Sequence, residues 1–145
     1  MSYINNRKAI KATANISGYI CGKIQPSWLL YLITSDKFIG IYAKQFICKT
    51  KDEINYNIFI INTRSSDVTS VKLLDILPTG TNVSDIKSVT LEGKIPIAYT
   101  IKNNSIEFSI NSMIKAHLYS RVVVTIQNNS NIDIESNTVQ IEEVT

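Results

Sequence analysis

From Ile54 onward the chain alternates between short runs rich in Ile, Val, Thr and Tyr and clusters of Asn, Ser, Asp and Gly. Within the runs, apolar residues recur at about every second position, the repeat of a pleated strand, and never hold helical spacing for long. Strands are expected at Ile54–Ile61, Val68–Leu77, Ser88–Leu91, Ile95–Ile101, Ile106–Ile110, Tyr119–Ile126 and Thr138–Val144. Short strands joined by polar turns predict an all-β, immunoglobulin-like antiparallel β-sandwich rather than a parallel sheet. The segment Ser112–Leu118 reads as one helical turn crossing between the sheets, and Asn103-Asn-Ser105 as a hairpin turn.

The stretch Tyr56–Pro78 concentrates the pattern. Tyr56–Ile61 is apolar almost throughout, as a central strand is. The loop Asn62-Thr-Arg-Ser-Ser-Asp67 is all turn chemistry, because short polar side chains bond their own backbone. In the next strand Val71, Leu73, Asp75 and Leu77 share one face. That face carries a carboxylate among core residues, which costs free energy unless the group is paired or protonated.

Upstream of the sandwich the signal changes. Residues 1–9 are polar and read as an arm, and Ile10-Lys-Ala-Thr-Ala-Asn-Ile16 alternates weakly. Its inward set, Ile10, Ala12, Ala14 and Ile16, suits either an extra strand of the same sandwich or an arm that completes a neighbouring subunit's sheet. Gly18–Ile33, punctuated by Gly22 and Pro26, suggests two short strands with a turn, and Phe38–Ile47 a strand pair bulged near Gly40. The chain therefore divides into an N-terminal arm with extra strands, 1–37, and a sandwich domain, 38–145.

Residues of that domain resemble a known family. Tyr56-x-Ile-x-Ile-x-Asn, a polar loop, Val71-x-Leu-x-Asp-x-Leu-Pro78 and then Gly80 look like the conserved repeat domain of bacterial surface proteins, domain of unknown function eleven. This family is related to isopeptide-forming fimbrial domains. The similarity runs through Ser88–Gly93 and closes on Ser136–Ile141, while Lys51 stands where the family usually has a Gly. It implies a stalk, adhesin or fibre subunit. It also implies an order of residues, a Lys on an early strand, an acid on a middle strand and an Asn on the last, which Lys44, Asp75 and Asn137 match. In that chemistry a buried neutral amine attacks the Asn carboxamide carbonyl, a protonated acid polarises it, and ammonia leaves. The plainer reading is that Asp75 and Asn137 bond nearby backbone and Lys44 is solvated.

Composition limits the remaining options. A chain of 145 residues with 44% hydrophobic content buries a core without a metal or many disulfides. A net charge of +3 with scattered Lys and Arg lacks the concentrated basic face of a nucleic-acid binder. The apolar run Trp28–Ile33 is too short to span a bilayer. The N-terminus has no apolar signal core, so three alternatives are expected: export by a non-standard route, release from a lysing cell, or a sequence from which the signal has been removed. Cys21 and Cys48 permit one internal disulfide, two bonds to neighbouring subunits or a pair of free thiols, and with the single His117 they make no metal site. No phosphate loop or nucleophile elbow is present, so neither enzymatic activity nor a cofactor is expected. Trp28 with Tyr31, and Tyr19 with Tyr42 and Tyr119, suit core or interface packing better than a sugar platform.

Together these readings lead to a structural expectation: a self-assembling subunit of a bacterial surface or spore-surface fibre, extracellular, whose partners are copies of itself and possible surface-layer or coat proteins. The spore setting follows from the missing signal and the abundance of Ile, Asn and Lys. The alternative is an adhesion or glycan-binding module of a cell-surface protein.

Overall fold

A computed structural model describes residues 13–22 and 40–145. They form an all-β immunoglobulin-like sandwich of two sheets. The strands are β1 (Thr13–Ala14), β2 (Ile16–Tyr19), β3 (Ile41–Lys49), β4 (Glu53–Asn62), β5 (Val71–Ile76), β6 (Ile86–Leu91), β7 (Ile95–Pro96), β8 (Tyr99–Lys102), β9 (Ser105–Ile110), β10 (Tyr119–Gln127) and β11 (Thr138–Val144). One sheet has the order β1-β11-β5-β9-β8 and the other β2-β3-β4-β10-β6-β7. Every pairing is antiparallel except β2 with β3.

Alternation decides what faces inward. Ile54, Tyr56, Ile58 and Ile60 of β4 pack against Val71 and Leu73 of β5, with Val122, Val124 and Ile126 of β10 and Ile106, Phe108 and Ile110 of β9, all inside one core. The inward face of β4 fixes that of β3, because the antiparallel register sets Gln45 opposite Ile58 and Ile47 opposite Tyr56. Tyr42 and Phe46 therefore lie on the outer face. There Phe46, Phe59 and Ile61 form a second small cluster with Ile20, Tyr42 and Tyr119 against it. Its rings meet edge-on, Phe46–Phe59 at 6.2 Å and Phe59–Tyr119 at 5.7 Å, the favoured geometry of aromatic pairs.

Both lateral sides of the sandwich are crossed by strands that change sheets. On one side β1 pairs with β11 and, after Asn15, β2 pairs with β3. On the other, β7 pairs with β6 and β8 pairs with β9. The single strand expected at Ile95–Ile101 is thus two, with the crossing at Ile97 and Ala98.

The expected helical turn at Ser112–Leu118 is absent. Its backbone is bonded to the 62–68 loop instead: Ile114 N donates to Val68 O at 2.7 Å, Val68 N to Ile114 O at 2.9 Å and Ala116 N to the Asp67 carboxylate at 2.9 Å. Buried Asn62 completes the tie, donating from Nδ2 to Ser66 O and Ile114 O and accepting from Arg64 N. With those groups committed, no helical ladder can form. Asn103 holds a left-handed φ of 55° in the β8–β9 hairpin, the conformation that Asn tolerates in tight turns. In the expected strand pair Phe38–Ile47, the described part, from Gly40, enters one strand, Ile41–Lys49.

Candidate functional site

The distinctive chemistry lies inside the sandwich, where β1, β5 and β11 face β3 and β4. Four polar side chains point inward: Gln45 from β3, Tyr56 from β4, Asp75 from β5 and Asn137 just before β11, each at most 1% exposed. Gln45 reaches across to the other sheet. Its Nε2 donates to Ala14 O at 2.8 Å and to Asn137 O at 3.0 Å, and its Oε1 accepts from Asn137 Nδ2 at 2.9 Å. Tyr56 donates its hydroxyl to Ile134 O at 2.7 Å, anchoring the short 3-10 turn Ile134–Ser136 that delivers Asn137.

Asp75 lies opposite Val139 in the β5–β11 register, one step diagonal from Asn137 on the same face. Neither carboxyl oxygen of Asp75 has a hydrogen-bond partner, nor does Asn137 Oδ1. Burial in this apolar setting pushes the Asp75 carboxyl from 3.8 up to about 7, and the neighbouring Asn137 carboxamide offsets the rise only in part. A neutral Asp75 carries one donor, and the Asn137 Oδ1 beside it lacks one. Burial first, and then the Asp75 charge, also raise the Tyr56 hydroxyl, which stays protonated as a donor.

Of the residues singled out in sequence, Asp75 and Asn137 are brought together. Lys44 is not. It shares the outer face of β3 with Tyr42 and Phe46, and the residue facing the Asp75–Asn137 pair is Gln45, an amide rather than an amine. The Lys44–Asn137 isopeptide that the resemblance implies does not fit the strand parity, because the aromatic face of β3 is the outer one. The β3 position that faces the pair therefore offers no amine for the Asn137 carboxamide to acylate.

Cys21 and Cys48 form an intramolecular disulfide joining the end of β2 to β3. Ala14 is in the main core and Ile16 packs against it, while Ile10 and Ala12 lie outside the described residues. Trp28 and Tyr31 also lie outside them. Tyr42 and Tyr119 are packed onto Phe59 and present no open platform. Tyr19 is elsewhere, beside Glu135; partial burial and that carboxylate raise its hydroxyl pKa. Among the described residues no group of three His, Cys, Asp or Glu side chains is placed to hold a metal, and no helix is long and apolar enough to cross a membrane.

Sequence reasoning missed Gln45 and Tyr56. A signal existed for both: the turn at Thr50–Asp52 sets Lys49 opposite Ile54, and counting back from the all-apolar positions of β4 places Gln45 inward. At the far lateral side an open groove of about 440 Å³ is lined by Ile95, Pro96, Ile97, Thr100, Phe108 and Lys72. In comparisons with known proteins, no protein-family model matches the chain and no curated protein is significantly similar to it.

Proposed function

We propose that this protein is a structural, self-assembling subunit of a bacterial surface or spore-surface fibre, joined by strand complementation. The observation that carries the reading is the seating of Ala14. A strand of two residues, β1, places a side chain only 4% exposed in the main core and gives its carbonyl to buried Gln45. A slot that closes the interior and is filled by a short, separable N-terminal segment is the geometry strand addition uses. The Cys21–Cys48 disulfide supports an oxidising, extracellular setting, and the motif resemblance to bacterial surface repeats supports the same class. An adhesion module is the second reading, favoured by the open groove beside β7 and β8.

Negative-stain electron microscopy of the full chain and of a form lacking residues 1–16 separates the two. Filaments that vanish on truncation support the fibre subunit. Single particles in both samples would sink it and move the weight to the adhesion module.

A further inference from the structure

We propose that residues 13–20 are an exchangeable plug, that the slot between β11 and β3 accepts the same segment of a second copy, and that the Cys21–Cys48 disulfide decides whether exchange occurs. The inference rests on the self-assembly reading and names its joint and its lock.

Three observations converge on this segment. It belongs to both sheets by edge contacts only: β1 pairs with β11 at Thr13–Gln140 and Ala14–Val139, and β2 pairs with β3, followed by Ile20 N to Ile47 O at 2.9 Å. Its interior contribution is nonetheless specific. Ala14 fills a core position, Ile16 packs beside it, and Ala14 O takes one of the two Gln45 amide protons. Without the plug, buried Gln45 keeps a donor with no acceptor, and the edges of β11 and β3 are both open, so an empty slot is costly and calls for an occupant of matching shape. Residues 13–20 of another copy match by construction.

The third observation is the lock. Cys21 follows the plug directly and is bonded to Cys48 on β3, the strand that forms one wall of the slot. While that bond is closed within one chain, the C-terminal end of the plug stays fixed at its own slot, so a plug that peels away closes again in place. Cys21 is exposed, so a small thiol can attack it. Reduction consumes two equivalents of thiol, yields the thiols of Cys21 and Cys48 and one equivalent of the oxidised reagent, and frees the plug. Local contacts are then the same within a chain or between chains. The balance is set by concentration, the intramolecular arrangement being favoured by an effective concentration on the order of millimolar. Crowding at an assembling surface tips it towards exchange. An exchanged plug carries its Cys21 to Cys48 of the acceptor. Reoxidation by a small disulfide, through a mixed disulfide and with release of two thiols, then makes the joint covalent. One pairing of cysteines thereby closes a monomer or welds a polymer, according to when oxidation happens.

The test mixes equal amounts of isotopically light and heavy full-length protein at millimolar concentration. One mixture stays oxidised; the other is treated with dithiothreitol and reoxidised with oxidised glutathione. Both are digested without reduction, and the Cys21–Cys48 linked peptides are weighed. The expected result is hybrid light–heavy Cys21–Cys48 pairs, about a quarter of the total where the protein concentration equals the effective concentration and half at most, in the reduced and reoxidised mixture and none in the other. Only unmixed pairs after reoxidation would overturn the exchange, as would hybrid Cys21–Cys21 and Cys48–Cys48 pairs in equal yield, the mark of random collision. Electron microscopy of the same samples keeps the two claims apart. Filaments without hybrid pairs overturn the exchange and leave the fibre subunit standing. Hybrid pairs without filaments support the exchange and count against the fibre.

Discussion

Gln45 and Asn137 hold each other in both directions across the interior: Gln45 Nε2 donates to the Asn137 carbonyl at 3.0 Å, and Asn137 Nδ2 donates back to Gln45 Oε1 at 2.9 Å. One lies on β3 and the other just before β11, so the pair is a polar rivet between the two sheets. Replacing Gln45 with Leu removes three hydrogen bonds and leaves buried Ala14 O, Asn137 O and Asn137 Nδ2 unsatisfied. The expected loss is about 3 kcal/mol, since each orphaned buried group costs about 1–3 kcal/mol and local relaxation recovers part. Chemical denaturation reads it. A change under about 1 kcal/mol would show that these bonds contribute little net.

Asp75 makes stability fall as the solution becomes less acidic. Its carboxyl titrates near 3.8 when unfolded and at about 7 in the fold. Between those values the folded chain holds a proton that the unfolded chain has lost, so stability declines with rising pH across that window and levels off above it. The slope approaches about 1.4 kcal/mol per pH unit in the middle of the window. Glu107, held below its ordinary value of 4.5 first by its hydrogen bond to Lys102, works in the opposite sense only at lower pH. Thermal melts at pH 5 and pH 8 should show the higher midpoint at pH 5, and Asp75→Asn should flatten the difference. A wild-type protein more stable at pH 8 contradicts the assignment.

Gly80 is irreplaceable for two reasons that add. Its φ of 91° lies in the left-handed region, and a Cβ there would collide with the backbone carbonyl of Asn131. Gly80→Ala is expected to cost more than about 1 kcal/mol, with no local rotamer to relieve it. An unchanged unfolding midpoint would mean that the 79–81 and 129–132 loops move apart freely.

Intact mass checks the isopeptide question in one step. Because Lys44 lies on the outer face of β3, the purified chain should weigh its sequence mass less the two hydrogens of one disulfide. A mass lower by one further ammonia would require an amine that reaches Asn137, and would overturn the placement of Lys44.

Much of the architecture was legible because alternation is a local code. Val71, Leu73, Asp75 and Leu77 read as one inward face and are one, and Thr138–Val144 has the strand bounds that its residues suggest. The failures have a common physical origin in contacts made far along the chain. Ile95–Ile101 keeps one alternation throughout, with Ile95, Ile97, Tyr99 and Ile101 on one parity, so the pattern does not mark the point at which the strand leaves one sheet for the other. On β3 the bulkier residues, Tyr42 and Phe46, lie outside because Phe59 and Tyr119 give them a second place to pack. The face of β3 with the bulkier residues is therefore the outer one, and Gln45, not Lys44, lies on the side of Asp75 and Asn137. The 112–118 segment resembles a helical turn until Asn62 and Asp67 take its hydrogen bonds.

The strand that changes sheets between β1 and β2 also determines how the fold would carry a load. β1 runs antiparallel to β11, so a pull through residue 13 and residue 145 acts at one end of that pair and peels it bond by bond. The peeling ends at Cys21. From there tension passes through sulfur to Cys48, and residues 22–47 are bypassed altogether. The domain can lengthen by the slack of its first strands and no further until a strand of the sandwich itself, such as β11, parts from its neighbour. Under tension the molecule would behave as a short spring with a hard stop.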